Sequence, residues 1–258
     1  MDTDIYTYKN RDGQKNLFAD IPIIRAPGAK DTLEGKPVLR REGIRLSPRD
    51  PDVSTSDDNI RNQLRCLMAV DEAMGRIFKA LEGTGQSEQT LLVFTSDHGY
   101  FWGEHDLGGK HGPYEEALRI PLLMRYPKRI PSGITLDALV LNVDVAPTLL
   151  ELGGAELPRN LHGRSLLPLL ADASAPWRTS FLAEYFYNRG QTPRFPTWQA
   201  VRTERWKYIR YPDQDGMDEL YAVGADPHEM KNRIDDPRAA TPLQDLKAEL
   251  GRLLGQTE

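Results

Sequence analysis

The stretch Thr90-Leu91-Leu92-Val93-Phe94-Thr95-Ser96-Asp97-His98-Gly99 decides how this chain is read. Its first six residues form a continuous apolar run, the pattern of a strand covered on both faces. Its last four are polar and end on a glycine, so the strand gives out into a loop. Upstream, Ile60, Leu64, Leu67, Met74, Phe78 and Leu81 recur at steps of three, four or seven. That spacing predicts one face of a helix from about Asp57 to Leu81, with Ser56 as N-cap and Gly83 and Gly85 as the stop. A long helix feeding a fully buried strand predicts an α/β sheet with parallel strands.

Downstream, Arg119-Ile120-Pro121-Leu122-Leu123-Met124-Arg125-Tyr126 reads as another strand, ended by Pro127. Val145, Leu149 and Leu152 have helical spacing, with Pro147 tolerated near the first turn and Gly153-Gly154 as the stop. Pro176 marks a change of character. Short β-rich runs follow at 181–187, 199–203, 206–211 and 220–223, and Pro242 to Leu254 closes as an amphipathic helix. Strands grouped without helices between them predict a small antiparallel sheet backed by that helix. Upstream of the long helix, residues 1–56 carry Pro, Gly and charge with little periodicity. So long an irregular stretch either wraps a domain or lacks its support. The boundaries are therefore 1–56, 57–175 and 176–258.

Composition narrows the class. Of 258 residues, 39% are hydrophobic and 28% charged, ordinary for a globular protein with a sizeable core. A net charge of −5 argues against nucleic acid as the main partner, since phosphate binding needs a basic surface. The single cysteine, Cys66, excludes an internal disulfide and reads as packing on the helix. No apolar run approaches the ~20 residues of a membrane span. The N-terminus shows neither the basic nor the apolar region of a signal peptide.

The chemistry is concentrated after Thr95. Ser96-Asp97-His98-Gly99, Gly103-Glu104-His105-Asp106 and Gly109-Lys110-His111-Gly112 follow one another where the strand ends. Ligands of open α/β sheets sit outside the carboxyl ends of strands, so this loop is well placed for a site. Asp97 and His98 leave the strand on opposite sides and reach one cation only through a sharp turn, which Gly99 permits. A carboxylate suits a hard cation, and an imidazole beside it suits zinc, manganese or iron or hydrogen-bonds an oxyanion. The plainer readings are a turn cap for Asp97, a satisfied half-buried ring for His98 and a solvated surface chain for Lys110. Glu115 and Glu116 read as the first turn of a helix, favoured there by the macrodipole.

These residues also carry a resemblance. Thr95 to Gly99, Gly103-Glu104-His105, Lys110 and Tyr114-Glu115-Glu116-Ala117-Leu118-Arg119-Ile120-Pro121-Leu122 are similar, in order and spacing, to the second conserved block of type I sulfatases. Ala69 to Ile77, Val143 to Leu150, Arg202 to Tyr208, Glu219-Leu220-Tyr221 and Asp226 to Asn232 resemble flanking pieces of that family, so the likeness covers roughly 57–254. It implies a partial alkaline phosphatase-like mixed sheet with flanking helices, then the small antiparallel sheet and helix. Residues 57–175 would be the C-terminal half of the catalytic domain and 176–258 its subdomain. By resemblance Asp97 is a direct calcium ligand, with His98 where many members have Asn. Lys110 contacts the sulfate, and His98 and His105 are further candidate catalytic residues. The implied substrate is a sulfated small molecule or glycan, hydrolysed with calcium and a formylglycine nucleophile.

That nucleophile arises from the Cys or Ser of a C/S-x-P-x-R motif, which this sequence does not contain. Cys66 is followed by Leu67-Met68-Ala69-Val70, and Ser47-Pro48-Arg49 has its proline one place early. The family's paired metal aspartates are absent as well. Asp57-Asp58 opens a helix, and Asp235-Asp236 precedes Pro237. The expectation is a sulfatase lacking its N-terminal half, its structural complement, and inactive alone. The alternatives are a phosphodiesterase or phosphonate monoester hydrolase of the same superfamily, or a non-catalytic anion-binding remnant.

Overall fold

A computed structural model describes residues 17–41, 55–187 and 195–256. The long helix is present as α1 (Asp57–Gly83), and the Ser56 hydroxyl accepts from the Asn59 amide at 3.2 Å as its N-cap. β1 (Leu92–Thr95) follows, then a tight hairpin of β2 (Phe101–Trp102) and β3 (Gly108–Gly109). A single turn, α2 (Glu115–Leu118), leads into β4 (Leu122–Arg125). Two helices come next, α3 (Val145–Leu152) and α4 (Leu167–Ala171). The C-terminal part holds β5 (Ser180–Tyr185), β6 (Trp198–Thr203), β7 (Lys207–Arg210), β8 (Glu219–Tyr221) and α5 (Ala240–Leu254).

The four C-terminal strands form one antiparallel meander in the order β5-β6-β7-β8. Strand period 2 explains how it is covered on both faces. Ala200, Ile209 and Tyr221 pack into a core shared with Val38, Phe101, Leu107 and Tyr114. Their neighbours Val201, Tyr208 and Leu220 face the other way, onto Leu246 and Leu250 of α5. The loop after β1 and part of the N-terminal segment therefore cover one face, and α5 covers the other. Residues 17–41 hold no helix longer than the single turn Pro27–Lys30, yet bury Gly28, Lys36 and Val38, so this part of the segment wraps the domain.

Two expectations for the first half are corrected. β1 pairs with β4 antiparallel, Leu92 opposite Arg125 and Thr95 opposite Leu122, rather than in a parallel pair. An apolar run reports burial but says nothing of a neighbour's direction. Nor is β1 buried on both faces: Leu92, Val93 and Phe94 are half-buried and Thr95 is exposed, because among the described residues the sheet has two strands. The apolar face of α1 is likewise open. Ile60 is its one buried residue, Cys66 is half-buried, and Leu67, Val70 and Ile77 are exposed. Leu123 on β4 is 60% exposed, against 0% for Leu220 in the meander.

This contrast predicts mutational costs. Leu246→Ala, in the α5 interface, should lower the unfolding free energy by about 2–5 kcal/mol in urea titrations. Leu67→Ala, on the uncovered face of α1, should change it by less than about 0.5 kcal/mol.

Candidate active site

The loop between β1 and α2 is set by close backbone contacts. The Gly99 amide donates to the Ala117 carbonyl at 2.8 Å. A Cβ at Gly99 would stand 1.9 Å from the Glu116 carbonyl oxygen, so no other residue fits. The β2–β3 hairpin then doubles the chain back, closed by the Gly103 amide on the Leu107 carbonyl at 3.0 Å. Lys110 emerges at the end of this hairpin, opposite His98.

Three of the residues singled out from sequence meet here. The His98 Nδ1 lies 2.7 Å from the Gly99 carbonyl, which can only accept, so Nδ1 carries the hydrogen. The Nε2 lone pair then accepts from the Lys110 ammonium at 2.6 Å. The Asp97 carboxylate stands 3.3 Å from the same Nε2. Asp97 and Lys110 are exposed and His98 is half-buried, so a carboxylate, an imidazole and an ammonium present one accessible corner. His111 follows with its ring 5.4 Å from that of Tyr185 and its Nδ1 buried without a partner. Burial first, then the Lys110 charge, holds its pKa down.

His105 is placed elsewhere. Its ring is fully buried, with Nδ1 2.6 Å from Asp31 and Nε2 3.5 Å from Glu116, so it has no open face for a substrate. The structure thus sets it apart from His98 and Lys110, with which the sequence grouped it. Glu115 and Glu116 do open a helical turn, but their carboxylates are more than dipole partners. The Glu115 carboxylate accepts from Arg202 at 3.1 Å and Lys207 at 3.2 Å, and the Glu115 amide donates to Glu229. Burial alone would raise Glu115, yet Lys207 and Arg202 hold it at about 2. Below it, Glu219 is fully buried and accepts from the hydroxyls of Tyr221, Tyr114 and Tyr211 at 2.6, 3.0 and 3.4 Å. Burial pushes Glu219 up to about 7.

The two donors expected to bind metal, Asp97 and His98, lie 3.3 Å apart. Among the described residues no group of three or more His, Cys, Asp or Glu side chains is assembled to hold an ion. Of this pair, the Asp97 carboxylate offers oxygen to a hard cation and the His98 ring offers a nitrogen.

Known proteins share this chain's sequence pattern and fold. The model of the sulfatase family matches residues 7–155, and that of the C-terminal region of N-sulphoglucosamine sulphohydrolase matches residues 103–256. An N-acetylglucosamine-6-O-sulfatase of Bacteroides thetaiotaomicron is 39% identical over 67% of this chain and 31% of its own. A multifunctional alkaline phosphatase superfamily protein of Trinickia caryophylli is 34% identical, over 74% of this chain and 40% of its own. A solved protein in complex with its substrate D-glucosamine-2-N,6-O-disulfate superposes with a TM-score of 0.73 at 37% identity, covering 77% of this chain and 40% of that one. The phosphonate monoester hydrolase of Agrobacterium radiobacter gives 0.66 at 28%, covering 77% and 42%. The architecture is thus of the alkaline phosphatase-like class. Within it, the chain belongs to the sulfatase family. It spans less than half the length of each of these relatives. Family membership is consistent with a metal cofactor.

The buried carboxyls fix the sign of a pH dependence. Glu219 rises from an ordinary 4.5 to about 7, so the folded state holds a proton that the unfolded state has lost. Its contribution to stability should fall as pH rises between those values. Glu115 acts in the opposite sense, stabilising above 4.5 and losing that contribution as pH falls towards about 2. Urea unfolding of Glu219→Gln should show a flatter stability profile between pH 4.5 and 7 than the parent chain.

Proposed function

We propose that this chain supplies the metal- and sulfate-holding corner of a sulfuric ester hydrolase acting on a sulfated sugar. The observation that carries the reading is the convergence of Asp97 and Lys110 on one nitrogen of His98. A sulfate ester bound there would meet the Lys110 ammonium, which neutralises oxygen charge as the S–O bond to the sugar breaks. Asp97 would ligate calcium through its carboxylate, and the His98 Nε2 would complete the ligand pair or donate to sulfate once protonated. Calcium bound at this corner adds a second positive charge against the sulfate oxygens. The exposed placement of Asp97 and Lys110 supports access from solvent, whereas the buried carboxyls behind them hold the loop.

The remainder of such a site would come from polypeptide outside these residues: the formylglycine, the paired aspartates and the strands that flank β1. The edges of β1 and β4 left unpaired among the described residues and the exposed apolar side chains of α1 support that view, since patches of this kind mark an interface. In this reading residues 57–175 are the C-terminal half of the catalytic domain and 176–258 its subdomain. A sulfated glucosamine is favoured as substrate over a phosphonate ester, because the sulfatase relative and the glucosamine disulfate complex are more similar than the phosphonate hydrolase.

The chain alone should not hydrolyse p-nitrophenyl sulfate, because covalent catalysis fails without its nucleophile. It should also bind an apolar dye. Mixing it with the N-terminal half of a related sulfatase, carrying a mature formylglycine, should restore hydrolysis of glucosamine 6-sulfate and suppress the dye signal. Lys110→Ala should abolish the restored turnover. Robust turnover by the chain alone would refute the reading, and restored activity confined to phosphonate monoesters would favour the other hydrolase class.

A further inference from the structure

The most constrained part of the loop is the hairpin tip, not the open corner. His105 and Asp106 both adopt the left-handed backbone region, with φ of 53° and 56°, which non-glycine residues avoid. Strain of that kind persists only where the surroundings enforce it. The fully buried imidazole lies between two carboxylates: Nδ1 is hydrogen-bonded to Asp31 of the wrapping segment at 2.6 Å, and Nε2 faces Glu116 of α2 at 3.5 Å as an ion-pair contact without hydrogen-bond geometry. Asp31 is itself tied to Lys36 at 3.0 Å, and Lys36 is fully buried and donates to the Glu229 carbonyl at 2.5 Å.

We propose that His105 is a positioning residue, an imidazolium clamped between Asp31 and Glu116, and that this clamp sets the loop that brings Lys110 to His98. The connection is short. Glu116 sits in α2 beside Ala117, whose carbonyl receives the Gly99 amide next to His98. On its other side, the hairpin tip at His105 continues through β3 directly into Lys110. Loss of the ring's second proton therefore loosens both ends of the corner together.

The charged and titratable groups around the ring are few. Asp31 and Lys36 face it from the wrapping segment, Glu116 from α2 and Tyr114 from the residue before it, at 4.4 Å between ring centroids. Glu104 belongs to its own turn, and its amide partner is Trp102. Burial alone would lower the His105 pKa, but Glu116 and then Asp31 outweigh it and the net direction is upward. Asp31 and Glu116 are lowered in turn against the cost of burial. A histidine raised in this way stabilises the fold fully below its unfolded value and loses that contribution as pH climbs through the folded one.

The test needs no catalytic turnover, so it stands apart from the sulfatase reading. Nitrogen-15 NMR of the full chain, with ring signals assigned through bonds, should follow the protonation of both His105 nitrogens. Its titration midpoint should lie above 6.5, and the backbone amides of Gly99 and Lys110 should show an inflection at that same midpoint. Glu116→Gln should lower the His105 midpoint by about one unit or more, since a nearby opposite charge shifts a pKa by roughly 1–3 units. The Gly99 and Lys110 inflections should move with it. A His105 midpoint at or below 6.5 in the parent chain would overturn the proposal, and needs no variant to be seen. Amides of Gly99 and Lys110 that ignore the His105 titration would overturn it equally.

Discussion

The structure depends on the pairing of charges that are buried together. Lys207 and Glu229, both without exposure, stand 2.6 Å apart. Glu115 joins them from α2, Arg202 from β6, and Lys36 from the wrapping segment through the Glu229 carbonyl. Such ions are costly to bring out of water, and removing one partner strands the other at a cost of about 3–5 kcal/mol. Their value lies in what they fix. Each charge can be accommodated only if the wrapping segment, the loop and the meander sheet arrive in one register, so the network ties three otherwise separate pieces together.

That register is what gives the open corner its chemistry. Asp97, His98 and Lys110 sit on the connection between Thr95 and the strand beginning at Leu122, which is held only through the contacts at Gly99, the hairpin and α2. None of the three is buried enough to be positioned by its own packing. Their arrangement is inherited from groups behind them, Glu115 and Glu116 among others, that never meet a substrate. A second polar centre, the Glu219 carboxyl beneath three tyrosine hydroxyls, is raised by burial to about 7 and is protonated throughout the acidic range. It adds hydrogen bonds to the same junction.

Much of this was legible in the sequence, for identifiable reasons. The meander and its closing helix follow from period-2 runs and one amphipathic stretch, and α1 follows from its spacing and Ser56. The Asp97, His98 and Lys110 grouping follows from a glycine-bounded loop at a strand end. What could not be read is long-range. Asp31 lies 74 residues before His105 in a segment with no periodicity, and Lys207 lies 92 residues after Glu115. Taken locally, Glu115 and Glu116 are well explained as a helix first turn, so nothing in their neighbourhood signals a buried ion network. The apolar run of β1 announced burial but neither the direction of its neighbour nor how much of the cover lies within these residues.

The central claim, that Asp97, His98 and Lys110 form a metal- and sulfate-holding corner, is tested most directly by binding. Isothermal titration of glucosamine 6-sulfate into the purified chain, with and without calcium, measures it without turnover. The account predicts calcium-dependent binding that is lost in Lys110→Ala and in Asp97→Ala but retained in Glu184→Gln, a substitution on β5 outside the corner. Binding that is indifferent to calcium and unchanged by Lys110→Ala would contradict it.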